Sequence, residues 1–233
     1  MSVYAHRVPR AVPHAVRPLG WFAFVCVVAF LIPYLGVSAL GLQHDLYYLL
    51  YFAATLALLA AYVRLEHVEL GPIFRRRLLW SLGLGAAVAV VLVVNVLNTG
   101  HATARPHGAY FVFELLWRGL GYGVIDTLLL TAFPCLVAHQ LLRDRVDGFK
   151  GKLRFTTLML PLVIIVTATY HWGYPQYRQD GVSRPETGNV LISIPAFASA
   201  NPAGSIVAHV SQHLAAVTHA YESRIFNPPV TRS

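Results

Sequence analysis

The 233-residue chain is long enough for one domain, but its composition excludes an ordinary water-soluble one. Hydrophobic residues make up 56% and charged residues only 12%, whereas soluble domains carry about 25% charged residues. The net charge is +8, yet the basic residues stand in short segments between long apolar runs. This pattern indicates contact with anionic lipid headgroups and argues against nucleic acid as a partner.

Six apolar stretches approach the roughly 20 residues that a helix needs to cross the hydrocarbon core of a bilayer. The first exceeds the apolar core of about 7–15 residues in a signal peptide, so we interpret it as a retained span. Both cysteines lie inside these stretches, which argues against a disulfide framework. The stretches are Leu19–Leu40, Leu46–Val63, Leu78–Leu97, Ala109–Leu142, Thr156–Trp172 and Ala203–His219.

The positions of lysine and arginine predict the topology. Fourteen of the eighteen lie in the N-terminal arm, in residues 64–77 and 143–154, and in the C-terminal tail. Only Arg105, Arg178 and Arg184 lie in the alternate segments. Because cytoplasmic loops are enriched in these residues, we predict an all-α, polytopic transmembrane helical bundle with about six spans and both termini in the cytoplasm.

The chain is predicted to form a single transmembrane domain over residues 1–233. Residues 1–18 form a basic cytoplasmic arm and 19–172 contain spans one to five. Residues 173–202 form an outer loop, in which four prolines argue against regular helix throughout. Residues 203–219 form span six, and residues 220–233 form a cytoplasmic tail.

Ionisable residues inside apolar spans are costly and often functional. On the predicted topology, Glu114 lies about 7 Å and His209 about 9 Å below the outer face, at 1.5 Å per residue. His171 ends the fifth span beneath the same face. One carboxylate and two or three imidazoles are a common zinc ligand set. The candidate residues are Glu114, Arg118, His171, His209 and His213.

Each candidate residue also has a structural interpretation. Glu114 and Arg118 are spaced for an intrahelical ion pair, and His171 beside Trp172 suits a membrane interface. His213 is able to hydrogen-bond between helices. Asp126 lies two turns deeper than Arg118, where pairing with a neighbouring helix is the simpler interpretation. Glycines 119, 121 and 123 favour close helix contact over phosphate binding, because no strand precedes them.

Three segments resemble motifs of the CPBP family, which includes type II CAAX prenyl endopeptidases and bacteriocin-processing proteins. Residues 113–119 (FELLWRG) resemble its Glu-Glu-x-x-x-Arg motif, 167–171 (TATYH) its Phe-x-x-x-His motif and 204–213 (GSIVAHVSQH) its His-x-x-x-Asn/Asp motif. The likeness covers about half of the chain. Phe113 replaces the first glutamate, the general base of the family, and His213 replaces the last Asn or Asp.

The resemblance and the polar residues together suggest an intramembrane, zinc-dependent, peptidase-like hydrolase. His171, His209 and His213 would bind zinc, Glu114 would move the proton, and Arg118 would orient Glu114 or stabilise an oxyanion. The substrate would be a membrane-bound peptide or lipidated chain, and the location the plasma membrane of a prokaryote. A catalytically inactive scaffold or accessory subunit of a membrane protein complex is the alternative, and a non-covalent haem-binding redox subunit is a second.

Overall fold

The computed structural model describes residues 15–223, and within this range the regular structure is entirely helical. Five helices are long and apolar enough to cross a membrane, so the chain is an integral, multi-pass membrane protein whose bundle contacts lipid. The all-α helical bundle is therefore confirmed. The helices are α1 (Val16–Ala39), α2 (His44–Leu65), α3 (Leu70–Arg75), α4 (Leu78–Thr99), α5 (Gly108–Leu142), α6 (Gly148–Trp172), α7 (Pro175–Asp180), α8 (Ser183–Ser199) and α9 (Ala203–His219).

Two of these helices contain π-helical turns. In α1 the last six residues, Tyr34–Ala39, are π-helical. In α5 two π-helical stretches, Leu115–Gly121 and Leu128–Ala132, stand on either side of a short α-helical segment that contains Asp126. Each π turn inserts residues into the helix and rotates the side chains that follow, and such turns are frequent at functional sites.

The ends of the helices meet at two opposite faces. At the basic face, Arg17 pairs with Glu66 at 3.0 Å and Arg76 with Asp147 at 3.0 Å. At the opposite face, the Ser38 hydroxyl donates a 2.7 Å hydrogen bond to the Gly173 carbonyl. These contacts place the 64–77 and 143–147 segments on one side and the ends of α1 and α6 on the other, as the distribution of basic residues predicts.

The segment predicted as an irregular outer loop is largely helical. The 17-residue helix α8 runs antiparallel to α6, because Asn189 donates to the Thr167 hydroxyl at 2.7 Å and the Thr156 hydroxyl donates to the Phe197 carbonyl at 3.2 Å. Pro185 lies in the first turn of α8, where its missing N–H leaves no hydrogen bond unmade. Pro195 lies inside α8, as prolines in membrane helices often do. The expectation of little regular structure was wrong because it counted prolines without their helical positions.

Since α8 returns the chain to the basic face, α9 runs in the direction opposite to the one predicted. The Asn201 side chain donates to the carbonyls of Phe74 and Arg76 at the basic face. At the other end, the amide of Thr103 donates to the His219 carbonyl at 3.1 Å. The described residues therefore begin at the basic face and end at the opposite one, whereas the prediction placed residues 18 and 220 on the same side. Residues 1–14 of the predicted arm and 224–233 of the predicted tail lie outside the described residues.

The opposite direction of α9 does not change the unequal distribution of basic residues between the two faces, counted over the described residues. Ten lysines and arginines belong to the basic face, against three at the opposite face. Helices α8 and α9 have 17 residues each, which is at the lower limit of about 17 for a membrane-spanning helix. They run between the same two faces as the five longer helices, so residues 15–223 pass seven times between the faces.

Close helix contact in the bundle depends on glycine. At Gly85 and Gly204, a Cβ atom would overlap the backbone of the facing helix, so α4 and α9 touch through their main chains. A Cβ at Gly123 would lie 2.8 Å from the Val210 Cα, and one at Gly119 would lie 2.6 Å from a Leu214 methyl group. Small residues allow this approach between membrane helices. The interpretation of these two glycines of α5 as packing residues is thus confirmed.

Replacement of Gly85 by alanine should destabilise the protein, because the added methyl group collides with backbone that has no room to move. Overpacking costs about 1–3 kcal/mol. The matched control is Gly83→Ala, one half-turn away, where a Cβ has no neighbour within 4 Å. Thermal unfolding in detergent should show a lower midpoint for Gly85→Ala and an unchanged or higher one for Gly83→Ala. Equal midpoints would show that α4 and α9 do not touch at Gly85.

The direction of α9 can be measured by labelling single cysteines in a background without Cys26 and Cys135. A cysteine at Glu222 should react with an impermeant maleimide from the same side of the membrane as one at His107. A cysteine at Arg145 should react only from the other side. Labelling of position 222 together with position 145 would restore the prediction that both termini share a side.

Candidate metal centre

Asp126, His209 and His213 meet in the middle of the bundle. The three residues are at least 95% buried. His209 Nε2 lies 3.5 Å from Asp126 Oδ2 and 3.2 Å from His213 Nε2. Each residue offers a donor atom within 4.8 Å of the other two. Helix α5 supplies the carboxylate and α9 supplies both imidazoles, which face α5 because Gly123 allows Val210 to approach closely.

Neighbouring residues hold the atoms that point away from this cluster. The Tyr51 hydroxyl donates to Asp126 Oδ1 at 2.7 Å, so Oδ2 is left to face the histidines. The Thr127 hydroxyl donates its one proton to the Gly123 carbonyl at 2.7 Å. Its oxygen lies 3.1 Å from His209 Nδ1 and must therefore accept from the Nδ1–H group. Neutral His209 then carries its lone pair on Nε2, which points at the carboxylate and at His213.

This donor set fits a divalent metal ion. Two donors bound tetrahedrally at about 2.0–2.1 Å from zinc are about 3.4 Å apart, and the two measured separations are 3.2 and 3.5 Å. A lone pair facing a carboxylate oxygen is repulsive unless a proton or a metal ion lies between them. The remaining ring nitrogen or oxygen of a metal ligand is typically held by a hydrogen bond, as it is for His209 and Asp126.

A cluster of four tyrosine hydroxyls adjoins the candidate centre. Tyr47 and Tyr170 each lie 2.6 Å from the Tyr174 hydroxyl, and Tyr170 lies 3.0 Å from Tyr122. The Tyr122 ring meets the His213 ring edge-on, with the ring centroids 4.8 Å apart. All four tyrosines are at least 98% buried. Sequence analysis missed this cluster, because its members come from α2, α5 and the end of α6 without a shared motif.

His171 lies among tyrosines and not with the other two histidines. Its Nδ1–H group donates to the Thr167 carbonyl at 2.8 Å, and its ring meets those of Tyr170 and Tyr177 edge-on. It interacts electrostatically with His209, but the three-residue cluster contains Asp126 in its place. The structure therefore brings together His209 and His213 from the predicted ligand set and adds a carboxylate.

Glu114 and Arg118 form a separate buried pair nearer the opposite face. Arg118 Nη1 lies 3.2 Å from Glu114 Oε2, and the Tyr221 hydroxyl donates to the same oxygen at 3.1 Å. The guanidinium also lies over the Tyr221 ring, 4.4 Å from its centroid. Glu114 is fully buried and Arg118 is 4% exposed. The intrahelical ion pair is thus present, and it lies about two to three turns from Asp126 along α5.

The shared depth predicted for Glu114, His171 and His209 rested on the wrong direction for α9. Counted from the end of α9 at the opposite face, His209 is ten residues deep, or about 15 Å at 1.5 Å per residue. Asp126 reaches the same level because it lies twelve residues beyond Glu114 on α5. One sequence signal could have identified it, since Asp126 is an acidic residue deep inside an apolar span, and such residues need a partner.

No family model, curated protein or solved structure matches this chain. The motif that resembles Glu-Glu-x-x-x-Arg begins at Phe113, which is 42% exposed and stacks between Tyr110 and Trp117. Position 113 therefore faces outward from the bundle, whereas Glu114 faces inward. Function has to be inferred from the geometry described above.

Replacement of Glu114 by glutamine should destabilise the protein, because Arg118 would keep its charge in a buried site. Loss of one partner of a buried ion pair costs about 3–5 kcal/mol. The double variant Glu114→Gln, Arg118→Met removes the orphaned charge and should recover most of that loss. Thermal unfolding in detergent measures both. A single variant as stable as the wild type would show that water reaches Arg118 and that the pair contributes little.

Proposed function

We propose that this protein is an intramembrane, zinc-dependent hydrolase whose metal ion is held by Asp126, His209 and His213. The observation that carries the proposal is the convergence of two imidazole nitrogens and one carboxylate oxygen within 4.8 Å of one another, with His209 Nε2 at 3.2 and 3.5 Å from the other two donors. Catalytic zinc sites typically use three protein ligands and leave one position for water or substrate. This set replaces His171, which the sequence favoured, with Asp126.

The protein residues around the centre would orient the ligands and move protons. When bound, zinc would supply a Lewis acid and lower the pKa of a coordinated water to about 7. Tyr51 holds Asp126 with Oδ2 toward the histidines, and Thr127 fixes the His209 tautomer that leaves Nε2 unprotonated. The hydroxyl of Tyr122, beside His213, leads into the tyrosine cluster. A released proton can pass along these hydroxyls toward the opposite face.

The roles proposed for Glu114 and Arg118 change with this geometry. They lie on α5 between the centre and the opposite face, where they pair with each other and contact Tyr221. In this proposal they bind the polar part of a substrate or hold the side chains at the entrance to the centre. The tyrosine cluster transfers the proton in place of Glu114. The substrate class stays a membrane-bound peptide or lipidated chain, because the centre lies at the depth of the lipid tails. The plasma membrane of a prokaryote is the proposed location.

A catalytically inactive scaffold or accessory subunit of a membrane complex is the second candidate function. The outward position of Phe113 favours it, because the residue that replaces the expected general base does not face the buried polar groups. The haem-binding alternative has less support. His209 and His213 lie one turn apart on the same helix with their Nε2 atoms 3.2 Å apart, whereas two axial ligands must approach a haem iron from opposite sides.

Metal analysis of the purified full-length chain tests the proposed centre. After equilibration with zinc and removal of excess, Asp126→Asn and His209→Asn should each bind about one zinc ion fewer per chain than the wild type. Thr127→Val should weaken zinc binding about 10- to 100-fold, because it removes the hydroxyl that accepts a hydrogen bond from His209 Nδ1. Thr127→Ser keeps the hydroxyl and is the matched control.

Two results would contradict the proposal at different levels. Equal zinc content in the wild type, Asp126→Asn and His209→Asn would eliminate the metal centre. Zinc lost in both variants, together with no zinc-dependent cleavage of membrane-embedded peptide or prenylated peptide reporters by the wild type, would leave a metal-binding scaffold. Cleavage that depends on Asp126, His209 and zinc would establish the hydrolase.

A further inference from the structure

A second group of potential metal ligands lies at the opposite face, where α2 begins and α5 enters the bundle. His44 and Asp45 are the first two residues of α2, and Glu114 lies in the second turn of α5. Each offers a donor atom within 4.8 Å of the other two. The other charged or phenolic groups near them are Arg118, Tyr48, Tyr110 and Tyr221.

Each of these three residues has a buried polar atom without a hydrogen-bond partner among the described residues. The atoms are His44 Nε2, Asp45 Oδ1 and Glu114 Oε1. Buried polar atoms nearly always find a partner, so each exception needs an explanation. Asp45 Oδ1 lies 3.2 Å from His44 Nδ1, whereas His44 Nε2 and Glu114 Oε1 have lone pairs that a bound cation would accept.

The other atoms of the two carboxylates are already held by the protein. Glu114 Oε2 accepts from Arg118 and Tyr221, and Asp45 Oδ2 accepts from the Gln43 side chain at 3.3 Å. One oxygen of each carboxylate is therefore anchored and the other is left to face the cluster. Arg118 balances the charge of one carboxylate, so the group retains one negative charge when His44 is neutral.

We infer that His44, Asp45 and Glu114 form a second divalent cation site, separate from the centre at Asp126. The mixture of one imidazole and two carboxylates suits zinc and other first-row divalent metals. The side chains of His44 and Asp45 are 15% and 25% exposed, so the ion would keep water ligands and exchange with the solution at the opposite face. Along α5 this site lies about 18 Å from Asp126, at 1.5 Å per residue.

This inference does not depend on the hydrolase or on the centre at Asp126. The full-length chain in detergent, equilibrated with zinc alone and freed of excess, should lose about one ion per chain on Asp45→Asn. His44→Gln should lose the same ion, and it provides a second variant should Asp45→Asn not fold. The matched control is His101→Ala, an exposed histidine near the same face, which should leave the zinc content unchanged.

Electron paramagnetic resonance of bound Cu²⁺ distinguishes the two sites by their ligands. Copper in the double variant His209→Asn, His213→Asn should show coupling to one imidazole nitrogen, and that coupling should disappear when His44→Gln is added. Copper in Asp45→Asn should instead show coupling to two nitrogens, from His209 and His213. Unchanged zinc content in both Asp45→Asn and His44→Gln would overturn the inference and assign the cluster to an ion pair between His44 and Asp45, whose Nδ1 and Oδ1 atoms are 3.2 Å apart.

Discussion

The approach of α9 to α4 and α5 through positions without side chains is the constraint on which the rest of this structure depends. Lipid tails are as apolar as leucine, so helices in a membrane associate through close packing and hydrogen bonds. Gly85 and Gly204 bring the main chains of α4 and α9 into contact, and Gly123 admits Val210. Only at this distance can the imidazoles on α9 reach a carboxylate on α5. A bulkier residue at any of the three glycines would move α9 away and so separate Asp126 from His209 and His213, although these three side chains would be unchanged.

Three carboxylates in the bundle share one feature, which is that the protein holds one of their two oxygens by a hydrogen bond. Asp126, Glu114 and Asp45 each have one carboxylate oxygen held by a hydroxyl, guanidinium or amide group of the protein. An unpartnered polar group costs far more inside a bundle than in water. Selection for fold alone would remove the second oxygen or give it a partner as well. In both places the second oxygen belongs to a group of potential metal ligands, and this arrangement is the basis of the two proposed sites.

The sequence was informative about class and orientation, and less so about the last third of the chain. Apolar length and basic residues predicted the five long helices and the two faces correctly, because both signals are sums over many residues. The direction of α9 depended on whether residues 183–199 cross the bundle, and α8 has 17 residues and two prolines, which conceal its helical character. Because α9 runs opposite to the predicted direction, His209 lies farther from Glu114 than the prediction placed it. Asp126 stood out in the sequence as an acidic residue deep in an apolar span, but its pairing with His209 could not be predicted, because the π-helical turns of α5 rotate the face it presents.

The parallel pair α4 and α9 has a consequence for how the protein is made. Their contacts join Ser81 to Gly204 and Gly100 to His219, so more than a hundred residues must be synthesised and inserted between the two partners. Until the last helix leaves the ribosome and enters the bilayer, the inner side of α4 has to be shielded by lipid or by an insertion factor, and Asp126 has no imidazole to face. Assembly of the core therefore waits for α9, and a chain truncated before α9 would be left with Asp126 inside an incomplete bundle, without the imidazoles that face it.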